Sequence, residues 1–286
     1  MVTNFELKQK ARSALKDNWQ IALMVALIAS LPSLISQVVS VMTTSGMTQT
    51  MQNLMGILQD GSTIDDLLAL MAETELSVAG YIPSAVVSLA AWLVSPFLTL
   101  GMLNYFFMLL RGEQDVPVSA VFSRKGCFFK GIGLNLMTAL RTFLWMLPGA
   151  VLEVASMFLA LSESTSTIGL VLMLAGSAAM LVLGIRAALH YAMATRVLAE
   201  CPEKGINQCI RESVAIMRNR KLLLVSLELS FILLSLLISL AESLLTGMLG
   251  TVLGATLSMA LSFALNIYMQ MAASAFYVAY RAQTEI

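Results

Sequence analysis

Residues 222–245 read LLLVSLELSFILLSLLISLAESLL, and Glu228 and Glu242 are the only charged side chains among them. An α-helix rises about 1.5 Å per residue, so about 20 residues of this kind cross a hydrocarbon core of about 30 Å. Because the interior of a bilayer offers no water to the backbone, such a run must be helical. The run therefore predicts a transmembrane helix. The rest of the chain shares its composition, with 58% hydrophobic and 12% charged residues overall.

Five further apolar runs predict five further spans. Several runs exceed the roughly 20 residues needed to cross, which predicts tilt, kinks or extension beyond the bilayer. No polar stretch is long enough for a separate soluble domain, so residues 1–286 are predicted to form a single membrane domain. The predicted fold class is all-α, a polytopic transmembrane helix bundle. Its six spans are expected at residues 21–43, 78–110, 131–161, 168–199, 222–245 and 251–280.

The positive charges predict which side of the membrane each loop occupies. The loops expected outside, residues 44–77, 162–167 and 246–250, contain none of the 17 Lys and Arg residues. Since Lys and Arg in short loops favour the cytoplasmic side, both termini are predicted to be cytoplasmic. Amphipathic patterning in the long outer loop predicts two short helices lying on the membrane, divided near Asp60 and Gly61.

A basic amphipathic segment precedes each pair of spans. The first begins with Thr3 and Glu6 at capping-box spacing. Such elbow helices are expected to lie in the cytoplasmic headgroup layer, and Arg218, Arg220 and Lys221 are the predicted contacts to anionic lipid. The apolar positions of the three segments are Leu7, Ala11, Leu15 and Trp19, then Val118, Val121 and Phe122, then Ile206, Ile210, Val214 and Met217.

The order of elbow helix, outward span and inward span occurs three times. It predicts a threefold internal repeat of helix hairpins. The alternative is that any basic loop between spans tends to be amphipathic.

Among the ionisable residues inside the predicted spans, where charge is costly and often functional, four are expected to form a group. Arg141, Arg186, His190 and Glu228 are expected to share one depth in the cytoplasmic half. One interpretation is a cluster of salt bridges that locks the bundle, with Glu228 paired to Arg141 or Arg186. A second is a polar pocket, open to the cytoplasm, for an anionic headgroup or small solute. A third is a proton relay through His190 and Glu228.

Several classes of function are disfavoured by the sequence. The single His excludes sites built from several histidines, and neither a nucleophile elbow nor a phosphate-binding Gly-rich loop occurs. No enzyme activity, metal or cofactor is therefore predicted. The formal net charge is zero, so nucleic acid is not an expected partner. Cys127, Cys201 and Cys209 fall in segments expected in the cytoplasm, so they are predicted to be reduced.

Four stretches, in this order, carry a family resemblance. Residues 12–19 read RSALKDNW, residues 101–112 end in LRG, residues 144–149 read LWMLPG, and residues 191–232 contain YAMA, LAECP and RES. The chain resembles the bacterial integral-membrane family called domain of unknown function 975. That family often has glycine where this chain has Asp17 and Asn219, which bears on how sharply the chain turns there. The resemblance implies topology and class, and no catalytic residue.

Two hypotheses for function remain from the sequence. The first is a non-enzymatic accessory, scaffold or lipid-interacting protein of the bacterial inner membrane. Its expected partners are membrane lipids with anionic headgroups, and a second membrane protein or further copies of the chain. The alternative is a small transporter or channel for an anionic solute or lipid headgroup, which uses the Arg141, Arg186, His190 and Glu228 cluster.

Overall fold

The computed structural model describes residues 3–16, 18–59, 78–113, 116–160, 166–249 and 251–281. These residues form helices and short connections, with no strand among them. Six of the helical segments are long and apolar enough to cross a membrane. The prediction of an all-α bundle with six spans is confirmed, and the chain is a multi-pass membrane protein.

Nine α-helices and two short 3₁₀ helices make up the described part of the chain. The 3₁₀ helices, Val118–Phe122 and Lys125–Cys127, lie between the third and fourth α-helices. The α-helices are α1 (Asn4–Lys16), α2 (Trp19–Gln59), α3 (Val78–Leu110), α4 (Phe128–Ala160), α5 (Ser166–Tyr191), α6 (Ala194–Glu200), α7 (Ile206–Ile216), α8 (Lys221–Leu249) and α9 (Thr251–Arg281).

Two element boundaries differ from those predicted. Helix α2 runs on to Gln59, so residues 44–59 continue the first span and do not form a separate surface helix. No proline interrupts that stretch, and Met, Gln and Leu favour helix. The predicted second helix of this loop, in residues 60–77, lies outside the described residues.

The predicted fourth span is divided in two. Helix α5 ends at Tyr191, and α6 begins at Ala194. The buried side chain of Ser213, on α7, accepts a hydrogen bond from the Met193 N–H (3.2 Å) and donates one to the His190 carbonyl (2.8 Å). It thus satisfies backbone groups that the break in the helix would otherwise leave unpaired.

Three helical hairpins organise the bundle, because contact is most extensive between α2 and α3, α4 and α5, and α8 and α9. In the second hairpin the backbones approach closely at two glycines. A Cβ built on Gly149 would lie 2.5 Å from Met180 Cγ, and one on Gly176 would lie 2.9 Å from Glu153 Cγ. Small residues permit this separation in membrane bundles. The repeat relationship among the three hairpins stays a prediction.

Burial divides the bundle into two parts. One part is a closed core, built from the end of α3, α6, the buried face of α7 and the end of α9, with Tyr105, Phe106 and Tyr277 fully buried. The other part exposes large apolar side chains along the outer lengths of the spans, such as Leu174 on α5 and Leu240 on α8. Because exposed apolar surface of this extent is unstable in water, the second part is where hydrocarbon covers the protein.

The segments predicted as elbows differ in structure. The N–H of Glu6 donates to Thr3 Oγ1 (3.3 Å) and the N–H of Thr3 donates to Glu6 Oε2 (3.2 Å), which confirms the capping box of α1. The second segment forms the two 3₁₀ helices. The third helix, α7, starts at Ile206, after a turn that contains Pro202 and Glu203.

The buried faces of α1 and α7 pack against the protein. In α1 these are Leu7, Ala11 and Leu15, three of the four predicted positions, whereas Trp19 begins α2 and is exposed. In α7 the stripe is rotated from the predicted one, because Val214 is exposed. The buried residues of α7 are Cys209, Ile210, Ser213 and Ile216, followed by Met217.

Candidate anion-binding site

The indole of Trp145, on α4, organises two of the predicted intramembrane residues, both on α5. The guanidinium of Arg186 lies over the indole, 5.7 Å from its centroid. The imidazole of His190 stacks on Trp145 with 6.1 Å between centroids and 16° between planes. A cation over an indole face is attracted by the quadrupole of the ring. Arg186 is thereby held next to His190.

The hydrogen bonds of His190 assign its tautomer. Nε2 lies 2.8 Å from Lys221 Nζ, at the start of α8, and an ammonium can only donate. Nε2 therefore accepts, and Nδ1 carries the proton that it donates to the Arg186 carbonyl at 2.7 Å. The imidazole in this arrangement connects Lys221 to the backbone of α5. Two cations from different hairpins, Arg186 and Lys221, are thus brought together.

Lys221 also lines an open crevice of about 970 Å³ between the end of α5, α7 and the start of α8. Its charged groups are cationic, and no acidic side chain is found among the described residues that line it. Apolar side chains lie at the same rim, and Leu222 is 83% exposed. The full lining is His190, Arg211, Val214, Ala215, Arg218, Asn219, Lys221 and Leu222.

The nearby acidic residues form a separate ionic network. Glu200, at the end of α6, pairs with Arg111 (2.8 Å) and with Arg281. Glu212, on α7, pairs with Lys204 (2.6 Å) and lies 3.8 Å from Arg281. The hydrogen bond that Lys204 donates to the Glu212 carboxylate raises the pKa of Lys204, which keeps that side chain charged. Because Glu200 and Glu212 are already paired, they leave the charge of the crevice unopposed.

Among the other predicted residues, Arg141 does not line this crevice but shares a second pocket with Trp145. Arg141 donates to Asn207 Oδ1, at the start of α7, at 3.0 Å. Arg220 turns away from the crevice, because it donates to the Tyr280 carbonyl (3.2 Å) and lies over the Tyr280 ring. Of the three predicted lipid contacts, Arg218 and Lys221 therefore line the crevice.

The predicted pairing of Glu228 with Arg141 or Arg186 is not what the structure shows. Glu228 and Arg196 instead line a cavity of about 50 Å³ between α6, α8 and α9. Arg196 is held there by its hydrogen bond to Gln270 Oε1 on α9, at 2.9 Å. The helix break before α6 is the cause, since it directs Arg196 across the bundle toward α8. Similar depth along two helices therefore did not imply contact between their side chains.

Sequence reasoning missed Arg211 and Trp145 as members of this region. Arg211 stands in the RES stretch on α7, and Arg218 follows in the turn after that helix. Trp145 stands in the LWMLPG stretch. That stretch contributes to the family resemblance but did not indicate a role for Trp145. Among the described residues, no group of three His, Cys, Asp or Glu side chains is arranged to hold a metal ion.

Comparisons with known proteins give a family and no relative of known activity. No curated protein and no solved structure matches the chain. The model of the family described as protein of unknown function (DUF975) matches residues 1–284, so the chain belongs to that family.

Proposed function

We propose that this protein is a non-enzymatic, lipid-interacting component of the bacterial inner membrane, with both termini in the cytoplasm. Its crevice beside α7 binds the headgroup of anionic lipids. The observation that carries the proposal is the charge of the crevice, where Arg211, Arg218 and Lys221 converge without an acidic neighbour among the described lining residues.

The position of the crevice supports lipid as its ligand. The site lies where a polar helix, α7, meets the first residues of a span, α8. Exposed Leu222 and Val214 lie beside the cations. The crevice therefore offers cations to a phosphate and apolar side chains to the atoms next to it. A lipid headgroup with its glycerol and first methylenes presents the same combination. Each Lys or Arg near an anionic membrane surface contributes about 1 kcal/mol to such binding.

The test compares two double variants with equal loss of charge. Arg211→Gln with Arg218→Gln removes cations from the crevice, and Lys10→Gln with Lys125→Gln removes exposed cations outside it. Native mass spectrometry would measure the phosphatidylglycerol retained after purification in mild detergent. We expect binding to fall about thirtyfold in the crevice variant, from two contributions of about 1 kcal/mol, and little in the control. Equal losses in both variants would contradict the proposal.

The proposed role as an accessory or scaffold includes protein partners. These are further copies of the chain or a second membrane protein. The same spectra of the unmodified protein measure the mass of the intact assembly, and a single copy without bound protein would argue against a scaffold.

A further inference from the structure

A second groove lies on another side of the bundle, between the junction of α1 with α2 and the hairpin of α8 with α9. It has a volume of about 640 Å³, within the range of about 300–1,000 Å³ found for ligand sites. Two cations, Arg12 and Lys16, belong to it, and no acidic side chain occurs among its described lining residues. The other lining residues are Leu15, Trp19, Leu234, Ile238, Leu261, Ala264, Leu265 and Tyr268.

Contacts of α1 fix the cations at one end of this groove. Lys8 Nζ lies 4.7 Å from the centroid of the Phe231 ring, and Tyr268 Oη donates to the Lys8 carbonyl at 3.2 Å. Arg12 follows one turn after Lys8 on the same face of α1. Arg12 is therefore close to the level of Phe231 on α8 and Tyr268 on α9, and Lys16 lies one further turn along α1.

The apolar lining continues from that level into the exposed part of the bundle. Leu265 and Leu261 extend it along α9, and the distance from Tyr268 to Leu261 is about 10 Å at 1.5 Å per residue. Leu234 and Ile238 extend it along α8 in the same direction. Trp19, 38% exposed, stands at the edge, where aromatic rings favour the boundary between headgroups and hydrocarbon.

We propose that this groove holds one anionic phospholipid of the cytoplasmic leaflet. Its phosphate binds Arg12 and Lys16, and one acyl chain lies between α8 and α9 along Leu234, Ile238 and Leu265. The polarity of the groove selects this occupant, because the cations are confined to one end and apolar side chains line the remainder. The lipid seals the contact between the first and the last hairpin. No lining residue is shared with the crevice beside α7, so either proposal can fail alone.

The experiment uses the full chain in vesicles that contain phosphatidylglycerol with a diazirine near the end of one acyl chain. After illumination, mass spectrometry of peptides maps the adducts. We expect them on residues 234–238 and 261–265. Ala264→Phe fills the groove, so these adducts should be lost. Leu236→Phe is the matched control, because Leu236 is exposed on α8 but does not line the groove, and it should retain them.

The headgroup is tested with Arg12→Gln combined with Lys16→Gln. The preference of the groove for phosphatidylglycerol over the same probe with a phosphatidylcholine headgroup should fall about thirtyfold. The Lys10→Gln and Lys125→Gln pair should leave it unchanged. Adducts spread evenly over the exposed apolar faces, or a yield that Ala264→Phe does not alter, would overturn the proposal. Labelling at the groove without a headgroup preference would also overturn it, since any lipid tail would then suffice.

Discussion

The turn that brings Lys221 to the crevice depends on the backbone of Asn219, whose φ is 62°. This is the left-handed region, where a Cβ normally costs about 1–2 kcal/mol and where Asn and Gly are the residues most often found. The family often has Gly at this point, and Asn supplies the same conformation. The sharp elbow is therefore retained despite the loss of glycine.

Replacing Asn219 tests that requirement directly. Asn219→Val should destabilise the protein by about 1–2 kcal/mol, because a β-branched residue fits poorly at positive φ. Asn219→Gly should be neutral or slightly stabilising. Thermal unfolding in detergent, followed by tryptophan fluorescence, measures both. Equal melting temperatures for the Val and Gly variants would refute the explanation.

Cys209 illustrates burial of an ionisable group in the closed core. Burial raises the pKa of its thiol to about 11, whereas an unfolded Cys has a pKa of about 8.5. The folded state thus keeps a proton that the unfolded state releases, so this contribution to stability is present below about pH 8.5 and is lost as pH rises toward 11. Cys201, by contrast, is partly exposed and accepts a hydrogen bond from Arg281.

We expect maleimide to modify Cys201 before Cys209 in the native protein at pH 7. The thiolate is the reactive form, and Cys209 combines a protonated thiol with complete burial. Peptide mass spectrometry after short exposure measures each modified fraction, with denatured protein as the control. Equal rates of modification of the two cysteines in the native protein would show that α7 readily unfolds locally and exposes Cys209.

At the scale of elements, the break between α5 and α6 was not predictable from the sequence. Tyr191 to Ala199 is mostly apolar and contains neither Gly nor Pro, so nothing in it signals a turn. The break is instead stabilised by Ser213, which is twenty residues later along the chain than Met193. The spans themselves were predictable, because length and apolar composition are local properties.

Ser213→Ala should therefore lower the stability of the protein more than the loss of an exposed serine hydroxyl does. It leaves the Met193 N–H and the His190 carbonyl without their partner in a buried position, at a cost of about 1–3 kcal/mol. Ser235→Ala is the control, because Ser235 is exposed on α8 and its hydroxyl donates to the Ile232 carbonyl of the same helix. Chemical or thermal unfolding of the two variants measures the difference, and similar stabilities would count against the role of Ser213.

The second hairpin gives a test of close helix packing. Gly176→Leu should force α4 and α5 apart, because a Cβ there would already lie 2.9 Å from Glu153 Cγ and 3.1 Å from Glu153 N. Overpacking of this kind costs about 1–3 kcal/mol. Ala175→Leu, at the exposed neighbouring position, should have little effect on the melting temperature. A tolerated Gly176→Leu would mean that the hairpin packs more loosely than described.

For the whole molecule, the apolar runs predicted the six spans, and burial adds a closed core at one end. The residues of the candidate site were predicted only in part. The sequence identified Arg186 and His190 as ionisable residues inside a predicted span and Lys221 as a predicted contact to anionic lipid. The contacts among these side chains depend on the helix break and on the packing between hairpins. Neither property is local in the sequence.

The orientation of the bundle is tested by cysteine labelling in cells. A membrane-impermeant maleimide added from outside should modify a cysteine placed at Ser62 or Ser164 and spare one at Ser13 or Ser123, in a background that lacks the native cysteines. The reason is the absence of Lys and Arg from the outer loops. Labelling of a cysteine at position 13 from outside would contradict the predicted topology.

The ionic network around Arg281 also has a consequence for the order in which the chain is made. Arg111, Lys204, Glu200 and Glu212 all precede Arg281, so they leave the ribosome before the cation that joins the two carboxylates. Until the sixth span has been inserted, the earlier hairpins reside in the membrane with this junction incomplete. A shortened chain that ends before Arg281 would still pair Glu200 with Arg111 and Glu212 with Lys204, but no cation would join the two pairs. The last described helix thus links two ion pairs whose members all come earlier in the chain.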